Sequence, residues 1–309
     1  RILPNGELSD GALLRSSPTA RSPMIEAKKH LIIGIDGFLG GIVSRRLADS
    51  GAKVTGTSVN VDREHPMFLD LASDVSRWTP PENTDVAFIF AAVTSLAACA
   101  KDPEGARLIN VNRTIEIARR LHENGSFVIF PSTNLVFDGA IPATPASTER
   151  SPKTEYGRQK AEVEKFMESL GARGAVVRFT KIISAGGGVF QEWRSSLKSN
   201  TAISAFSDMS FSPVSPDFAA EALARIADAE AGGVYQASAS DDITYEQAAR
   251  MICSLMGAPP ELVRPARASE SRLDLEAIPA HTTLDTSRIV SEFGLKPKTA
   301  AETIEAVEW

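Results

Sequence analysis

The 309-residue chain is 43% hydrophobic and 23% charged, with a formal net charge of -6. Such a composition belongs to an ordinary globular protein with enough apolar residues for a sizeable core. The acidic balance argues against nucleic acid or an anionic membrane as the main partner, while leaving room for a local cleft that holds a phosphate ligand.

No stretch of eighteen apolar residues occurs, which excludes a conventional membrane span. The two cysteines, Cys99 and Cys253, fall in apolar helical surroundings, and the four histidines are scattered without a metal-ligand spacing. A disulfide framework and a metal site are not expected, and a reducing, cytoplasmic setting fits. Residues 1–29 are rich in Ser, Pro, Arg and Gly and lack the apolar centre of a secretory signal; they read as an extension or mobile tail.

His30 to Ile35 is a short apolar strand, overlapped by Gly34-Ile35-Asp36-Gly37-Phe38-Leu39-Gly40 and followed by a helical pattern through Ala48. Glycines at 34, 37 and 40 permit a tight turn, close approach of the backbone to a pyrophosphate, and close packing of helix on strand. The helix start, with Phe38 and Leu39, offers free N–H groups and the positive end of a dipole. Dinucleotide binding is the hypothesis; the G-x-x-G-x-x-G spacing departs from the commoner G-x-G-x-x-G, and glycine triplets also arise in ordinary loops.

Ala52 to Thr57 is the second strand, and in NAD sites the end of that strand supplies a carboxylate to the adenosine ribose. Here stands Ser58, with Arg63 close behind. A 2′-phosphate is tolerated there and NADP is slightly favoured over NAD, with Asp62 able to reverse the preference. Met67 to Leu69 forms a third short strand. Asp70-Leu71 after it offers a carboxylate to an adenine amino group, with a solvated turn aspartate as the equal alternative. Asp85 to Ala92 is a buried strand whose small terminal residues, Ala91 and Ala92, leave space for a cofactor.

From Pro103 to Gly125 the apolar residues recur with helical period, interrupted by Asn110. A buried Asn must find partners, so Asn110 either braces an active-site lysine through water, or kinks the helix or faces solvent. Ser126 to Phe130 is an apolar strand leading to Ser132-Thr133, hydroxyls at the carboxyl end of a parallel strand, where doubly wound sheets bind ligands. Thr133 or Ser132 can donate a hydrogen bond to a substrate carbonyl; the bland alternative is a turn.

After a proline-bearing connection over 141–155, Tyr156-Gly157-Arg158-Gln159-Lys160 opens an amphipathic helix to about Gly171. The four-residue spacing puts phenol and ammonium on one face. A neighbouring cation lowers a phenol's pKa from about 10, towards acid/base work near neutrality. Any surface helix can carry such a pair, so its meaning depends on the company it keeps.

Ala175 to Phe179 completes an alternation of strands and helices. The fold class is α/β, a Rossmann-like doubly wound parallel sheet over 30–183. Past Gly186-Gly187-Gly188 the rhythm is lost. Asp217 to Ala229 is a helix and Gly232 to Ala237 a strand, so 211–237 returns to the sheet. Residues 184–210 and 238–309 form a smaller, mixed substrate domain with peripheral helices, one of them starting at the Thr244/Gln247 capping box.

Together, Gly34, Gly37 and Gly40, Asp70-Leu71, Asn110, Ser132-Thr133 and Tyr156 with Lys160 resemble the extended short-chain dehydrogenase/reductase family in order and separation. Three stretches, Ser132 to Gly139, Phe211 to Ala219 and Leu284 to Arg288, look most like the dTDP-4-dehydrorhamnose reductase branch. The resemblance implies an NAD(P)-linked enzyme acting on a nucleotide-sugar, with a homodimer as the candidate assembly. It implies Tyr156 as proton donor, Lys160 as the group holding the nicotinamide ribose, and Thr133 as the residue orienting the carbonyl.

There are departures. That branch carries Asp-Tyr where this chain has Asn134-Leu135. Dehydratases of the family use Asp-Glu after the Thr, which Asn134-Leu135 does not replace. Epimerases have Pro-x-Asn after the sixth strand, where this chain has Phe179-Thr180-Lys181. Reduction is the leading expectation; an NAD(P)-dependent epimerase and a non-catalytic nucleotide-binding regulatory subunit are the alternatives.

Overall fold

A computed structural model describes residues 27–60, 66–271 and 277–309. Asp62 and Arg63 lie outside the described residues, as do residues 1–26 of the N-terminal extension.

Near-continuous apolar runs make strands with two buried faces. They are β1 (Lys29–Ile33), β2 (Lys53–Ser58), β3 (Pro66–Phe68), β4 (Val86–Ile89), β5 (Phe127–Thr133) and β6 (Gly174–Phe179). Shorter strands follow: β7 (Lys181–Ile182), β8 (Ile203–Phe206), β9 (Ser210–Phe211), β10 (Pro213–Val214), β11 (Gly233–Ala237), β12 (Ile243–Thr244) and β13 (Val263–Ala266). The helices are α1 (Phe38–Asp49), α2 (Leu96–Lys101), α3 (Pro103–Arg107), α4 (Thr114–Glu123), α5 (Glu155–Ser169), α6 (Gly188–Lys198), α7 (Pro216–Ala229), α8 (Tyr245–Leu255), α9 (Ser287–Phe293) and α10 (Ala300–Glu305).

Seven strands pair in parallel in the order β11-β6-β5-β4-β1-β2-β3. Alternation sends Ile32, Phe88 and Ile129 to one face, against α1, α7 and α9. Leu31, Ile33, Val128 and Phe130 go to the other, against α4 and α5. The order reverses between β1 and β4, and such a reversal opens a crevice at the carboxyl ends of the strands. A third core, with Phe190, Trp193, Phe211, Ile252 and Ile304, gathers α6, α8, α10 and the small strands apart from the main sheet.

Two differences from the sequence reading bear on the site. β5 continues through Thr133 because it stays paired with β6 to the Thr133–Phe179 step. The single helix expected over 103–125 is instead α3, a π-helical turn over Leu108–Arg113, and α4. The Thr114 hydroxyl donates to the Ile109 carbonyl five residues back, at 2.9 Å, which fits the wider turn. π-turns of this kind are frequent at functional positions.

Candidate active site

At Gly34 the chain leaves β1 with φ of +85°, a conformation open to glycine. A Cβ there would stand 2.8 Å from the Ala91 amide nitrogen, and one at Gly40 would overlap the Gly34 carbonyl oxygen. Backbone touches backbone where α1 enters, and the small end of β4 closes the back. Gly37 caps α1 without a side chain, and the first turn holds no acidic residue. Phe38 is exposed, Leu39 packs on the core, and Ala91 and Ala92 are half-buried alongside. A side-chain-free cradle at a helix N-terminus fits the pyrophosphate of a dinucleotide.

Ser58, buried at the end of β2, donates its hydroxyl to the Asp36 carboxylate and accepts the Asn60 N–H at 2.8 Å. Asp70 accepts from the Ala72 N–H at 2.9 Å and the Ser73 hydroxyl at 2.8 Å, building its own turn. Leu71 is core, 5% exposed, so its side chain supports this turn from beneath.

Thr154 caps α5 by accepting the Gly157 N–H at 3.0 Å. A Cβ on Gly157 would overlap the Leu135 carbonyl oxygen, so glycine lets α5 lie directly on the turn that follows Thr133. Lys160 is 5% exposed and donates to the Pro131 carbonyl at 3.0 Å. Its ammonium sits 4.3 Å over the Phe130 ring and 5.7 Å from the Tyr156 ring centre. Desolvation lowers its pKa to about 8, against the opposing pull of Glu164.

The expected depression of the Tyr156 phenol is not found. Burial raises it above 10.0, the Cys99 sulfur adds to the rise, and Lys160 does not offset either. The reason is geometric: the ammonium is fastened to the Pro131 carbonyl and faces the ring of the tyrosine.

Of the two hydroxyls at the end of β5, Ser132 is committed, donating to Glu164 at 2.5 Å. Thr133 accepts the Leu135 N–H at 3.2 Å; among the described residues its hydroxyl proton has the Asn134 side-chain oxygen, at 3.5 Å, as a partner.

Asn110 is buried within the π-helical turn, not facing solvent, and its side chain has direct protein partners. Its carboxamide accepts the Val93 N–H at 2.8 Å and donates to the Val93 carbonyl at 2.9 Å, pairing with that residue as a strand would. The remaining N–H reaches Gln159 at 2.8 Å. Asn110 thus ties the segment after β4 to the residue beside Lys160.

Behind the site, Glu164 is fully buried. It accepts from Ser132, from Arg178 at 2.7 and 3.0 Å, and from Arg150 at 2.6 Å. Sequence reasoning missed Glu164, Gln159, Cys99 and Asp36. For Glu164 a signal existed: positions 156, 160 and 164 share one helix face, and that face is otherwise buried. The contacts of Asp36 and Cys99 carry no comparable local pattern.

The glycine cradle follows the carboxyl end of β1 and Thr133 closes the carboxyl end of β5, with β4 between the two strands. Cys99 and Cys253 are buried thiols, neither of them in a disulfide. Among the described residues no cluster of three His, Cys, Asp or Glu side chains is placed to hold a metal ion, and no helix is long and apolar enough to cross a membrane.

The chain is similar to known proteins. A probable low-salt glycan biosynthesis reductase, Agl14, of Haloferax volcanii is 24% identical over 295 residues, 90% of this chain and 96% of the relative. The dTDP-4-dehydrorhamnose reductase of Salmonella typhimurium is 26% identical, over 72% of this chain and 76% of the enzyme. The crystal structure of Bacillus anthracis dTDP-4-dehydrorhamnose reductase in complex with NADP superposes with a TM-score of 0.79 at 20% identity, covering 90% and 98% of the two chains. The RmlD substrate binding domain family matches residues 28–308, and with that match the chain belongs to this family.

Proposed function

We propose that this protein is an NAD(P)-dependent oxidoreductase of the short-chain type that reduces a keto group on a nucleotide-sugar. The observation that supports the reading is the packing of the helix that carries Tyr156 and Lys160 onto the end of β5, through the Lys160 bond to the Pro131 carbonyl and the contact of Gly157 with Leu135, in a sheet whose β1 ends in a glycine turn with no room for a side chain at Gly34 or Gly40.

The nicotinamide, when bound, supplies the hydride. The protein's own groups do the rest. Gly34, Gly37 and Gly40 admit the pyrophosphate, and the Phe38 and Leu39 amides face it at the start of α1. Lys160 holds the nicotinamide ribose and keeps a positive charge behind Tyr156. Thr133 donates its hydroxyl proton to the carbonyl oxygen. Tyr156 gives that oxygen a proton as charge develops; a phenol held protonated by burial suits an acid. Asn110 acts at one remove, fixing Gln159 and the chain after β4.

Residues 30–183 with 211–237 bind the cofactor in this reading, and 184–210 with 238–309 take the substrate. Lys181, two residues past the partner of Thr133 in β6, lies 5.7 Å from the rings of Phe190 and Tyr245. It gives the substrate side a cation suited to a nucleotide's phosphates.

The test is stoichiometric. A reductase consumes one reduced dinucleotide per keto-sugar converted. An epimerase converts sugar with no net consumption, and a binding subunit binds dinucleotide yet converts no nucleotide-keto-sugar; either result removes the reductase reading.

A further inference from the structure

Lys181 is an exposed cation that the fold holds in place without neutralising. β7 pairs with β10 through the Lys181–Pro213 step, which fixes the backbone at this residue. The ammonium stands 5.7 Å from the centres of the Phe190 and Tyr245 rings, and among the described residues no carboxylate pairs with it. Aromatic faces attract an ammonium within about 6 Å, but unlike a carboxylate they leave its charge uncancelled.

The rings are themselves braced. Phe190 is 2% exposed and lies 5.6 Å from the Phe211 ring, which in turn lies 4.5 Å from that of Tyr245. Tyr245 opens α8 behind the Thr244–Gln247 capping box, and its backbone N–H donates to the Met209 carbonyl at 3.1 Å. Its phenol hydroxyl has no hydrogen-bond partner among the described residues. A cation from β7 and a phenol from α8 thus stand side by side, and neither is committed to a protein acceptor among those residues.

We propose that Lys181 and Tyr245 form an oxyanion subsite facing the substrate half, and that the substrate carries an anionic oxygen group close to its keto carbon: a phosphate of the nucleotide or a carboxylate on the sugar. The inference rests on the reading of Thr133 and Tyr156 as the pair that meets the carbonyl, and adds to it Tyr245 and the requirement for an anion.

Position and chemistry agree on this. Thr133 pairs with Phe179, and Lys181 is two residues further along the chain. Strands about 4.8 Å apart and α-carbon steps of about 3.8 Å keep the two backbones within roughly 12 Å of each other, a span that a sugar ring and its substituents can bridge. The apolar wall of Phe190 and Phe211 lowers the local dielectric, which strengthens an ion pair formed against it. An ammonium and a phenol O–H supply charge-assisted hydrogen bonds of the kind anionic oxygens accept. A neutral substituent at that place gains nothing from the charge, so the pair selects for the anion.

The experiment measures, by calorimetry on the full chain, equilibrium binding of glucose and glucuronate, each linked to UDP or dTDP, and of NADPH, so no keto-sugar is needed. K181M, which keeps the stem and removes the charge, is expected to bind the glucuronates at least about tenfold more weakly than wild type, with the gap narrowing as salt rises. K181R, which keeps the charge, is expected to stay within about threefold, and Y245F to lose about three- to tenfold. NADPH affinity is expected to stay within about threefold in every variant, which separates loss of the subsite from loss of the fold. An equal loss for the glucose compounds assigns the anion to the nucleotide phosphates; a loss confined to the glucuronates assigns it to the sugar carboxylate. Unchanged glucuronate binding in K181M or Y245F, or a loss shared by NADPH, overturns the proposal while leaving the nucleotide-sugar reading in place. Wild-type protein that binds none of the four nucleotide-sugars overturns that reading as well.

Discussion

Gly157 and Leu135 are in backbone contact: the α-carbon of the one lies so near the carbonyl oxygen of the other that a methyl group would not fit between them. That contact sets the distance between the helix carrying Tyr156 and Lys160 and the turn carrying Thr133. Ordinary helix propensity favours Ala over Gly by up to about 1 kcal/mol, so Gly157→Ala should stabilise an isolated helix. In this protein the overlap dominates. G157A is expected to lower stability by about 1–3 kcal/mol, the range for overpacking a filled site, and to lower kcat by displacing Tyr156. Denaturant melts and turnover read the two effects; an unchanged or raised melting midpoint with full activity refutes the close-contact account.

Lys160 is the charged group with the most consequential shift. Burial brings its pKa down from 10.5 to about 8. In the free enzyme the ammonium is lost above that value, so kcat/KM is expected to fall along an alkaline limb centred near 8. Stability moves oppositely. Between about 8 and 10.5 the unfolded chain holds a proton the folded chain has released, so the desolvation penalty, complete below 8, is relieved as pH rises through that window. Comparing the pH dependence of stability in wild type and K160M isolates this contribution. A flat kcat/KM profile up to pH 9.5 contradicts the assignment.

Glu164 joins three charged or polar partners from β5, β6 and the loop before α5. Removing one member of a buried pair typically costs about 3–5 kcal/mol because the other charge is stranded. Glu164→Gln leaves Arg178, itself 1% exposed, without its carboxylate. A loss of that order in chemical denaturation is expected, together with a shift of the alkaline limb to lower pH, since Glu164 pulls the Lys160 pKa upward. A stable variant with an unmoved pH profile would show that the network neither holds the fold nor sets the lysine.

Asn110 serves the backbone. Asn110→Ala orphans the N–H of Val93 and the side-chain oxygen of Gln159 and leaves the Val93 carbonyl only the Cys99 thiol, and each buried unsatisfied group costs about 1–3 kcal/mol. Thermal unfolding is expected to drop accordingly, and dinucleotide binding to weaken because the segment after Ala91 loses its anchor. Unchanged stability would mean that water replaces the carboxamide.

The sheet was legible because its signals are local. The apolar runs of β1, β4 and β5 and the glycine turn each occupy fewer than ten residues, and the Tyr156–Lys160 face needs one helical turn. What was not legible depends on distance and depth. Asp36 meets Ser58 across 22 residues, Asn110 meets Gln159 across 49, and Ser132 meets Glu164 across 32; each pairing exists only once the strands stand side by side. The direction of the Tyr156 shift failed for the same reason, since spacing reveals a neighbouring cation but not the burial that outweighs it. The π-turn likewise needs the fold: the carboxamide of Asn110 pairs with Val93, 17 residues away, before any helical period could announce it.

The central claim is that Tyr156 supplies the proton to a keto oxygen on a nucleotide-sugar. Its most direct test is Tyr156→Phe, measured in parallel for reduced-dinucleotide binding and for oxidation of that dinucleotide in the presence of the keto-sugar. The account predicts a loss of about 10²- to 10⁴-fold in kcat with dinucleotide affinity within about threefold of wild type. Turnover that survives the substitution within a few fold would contradict it.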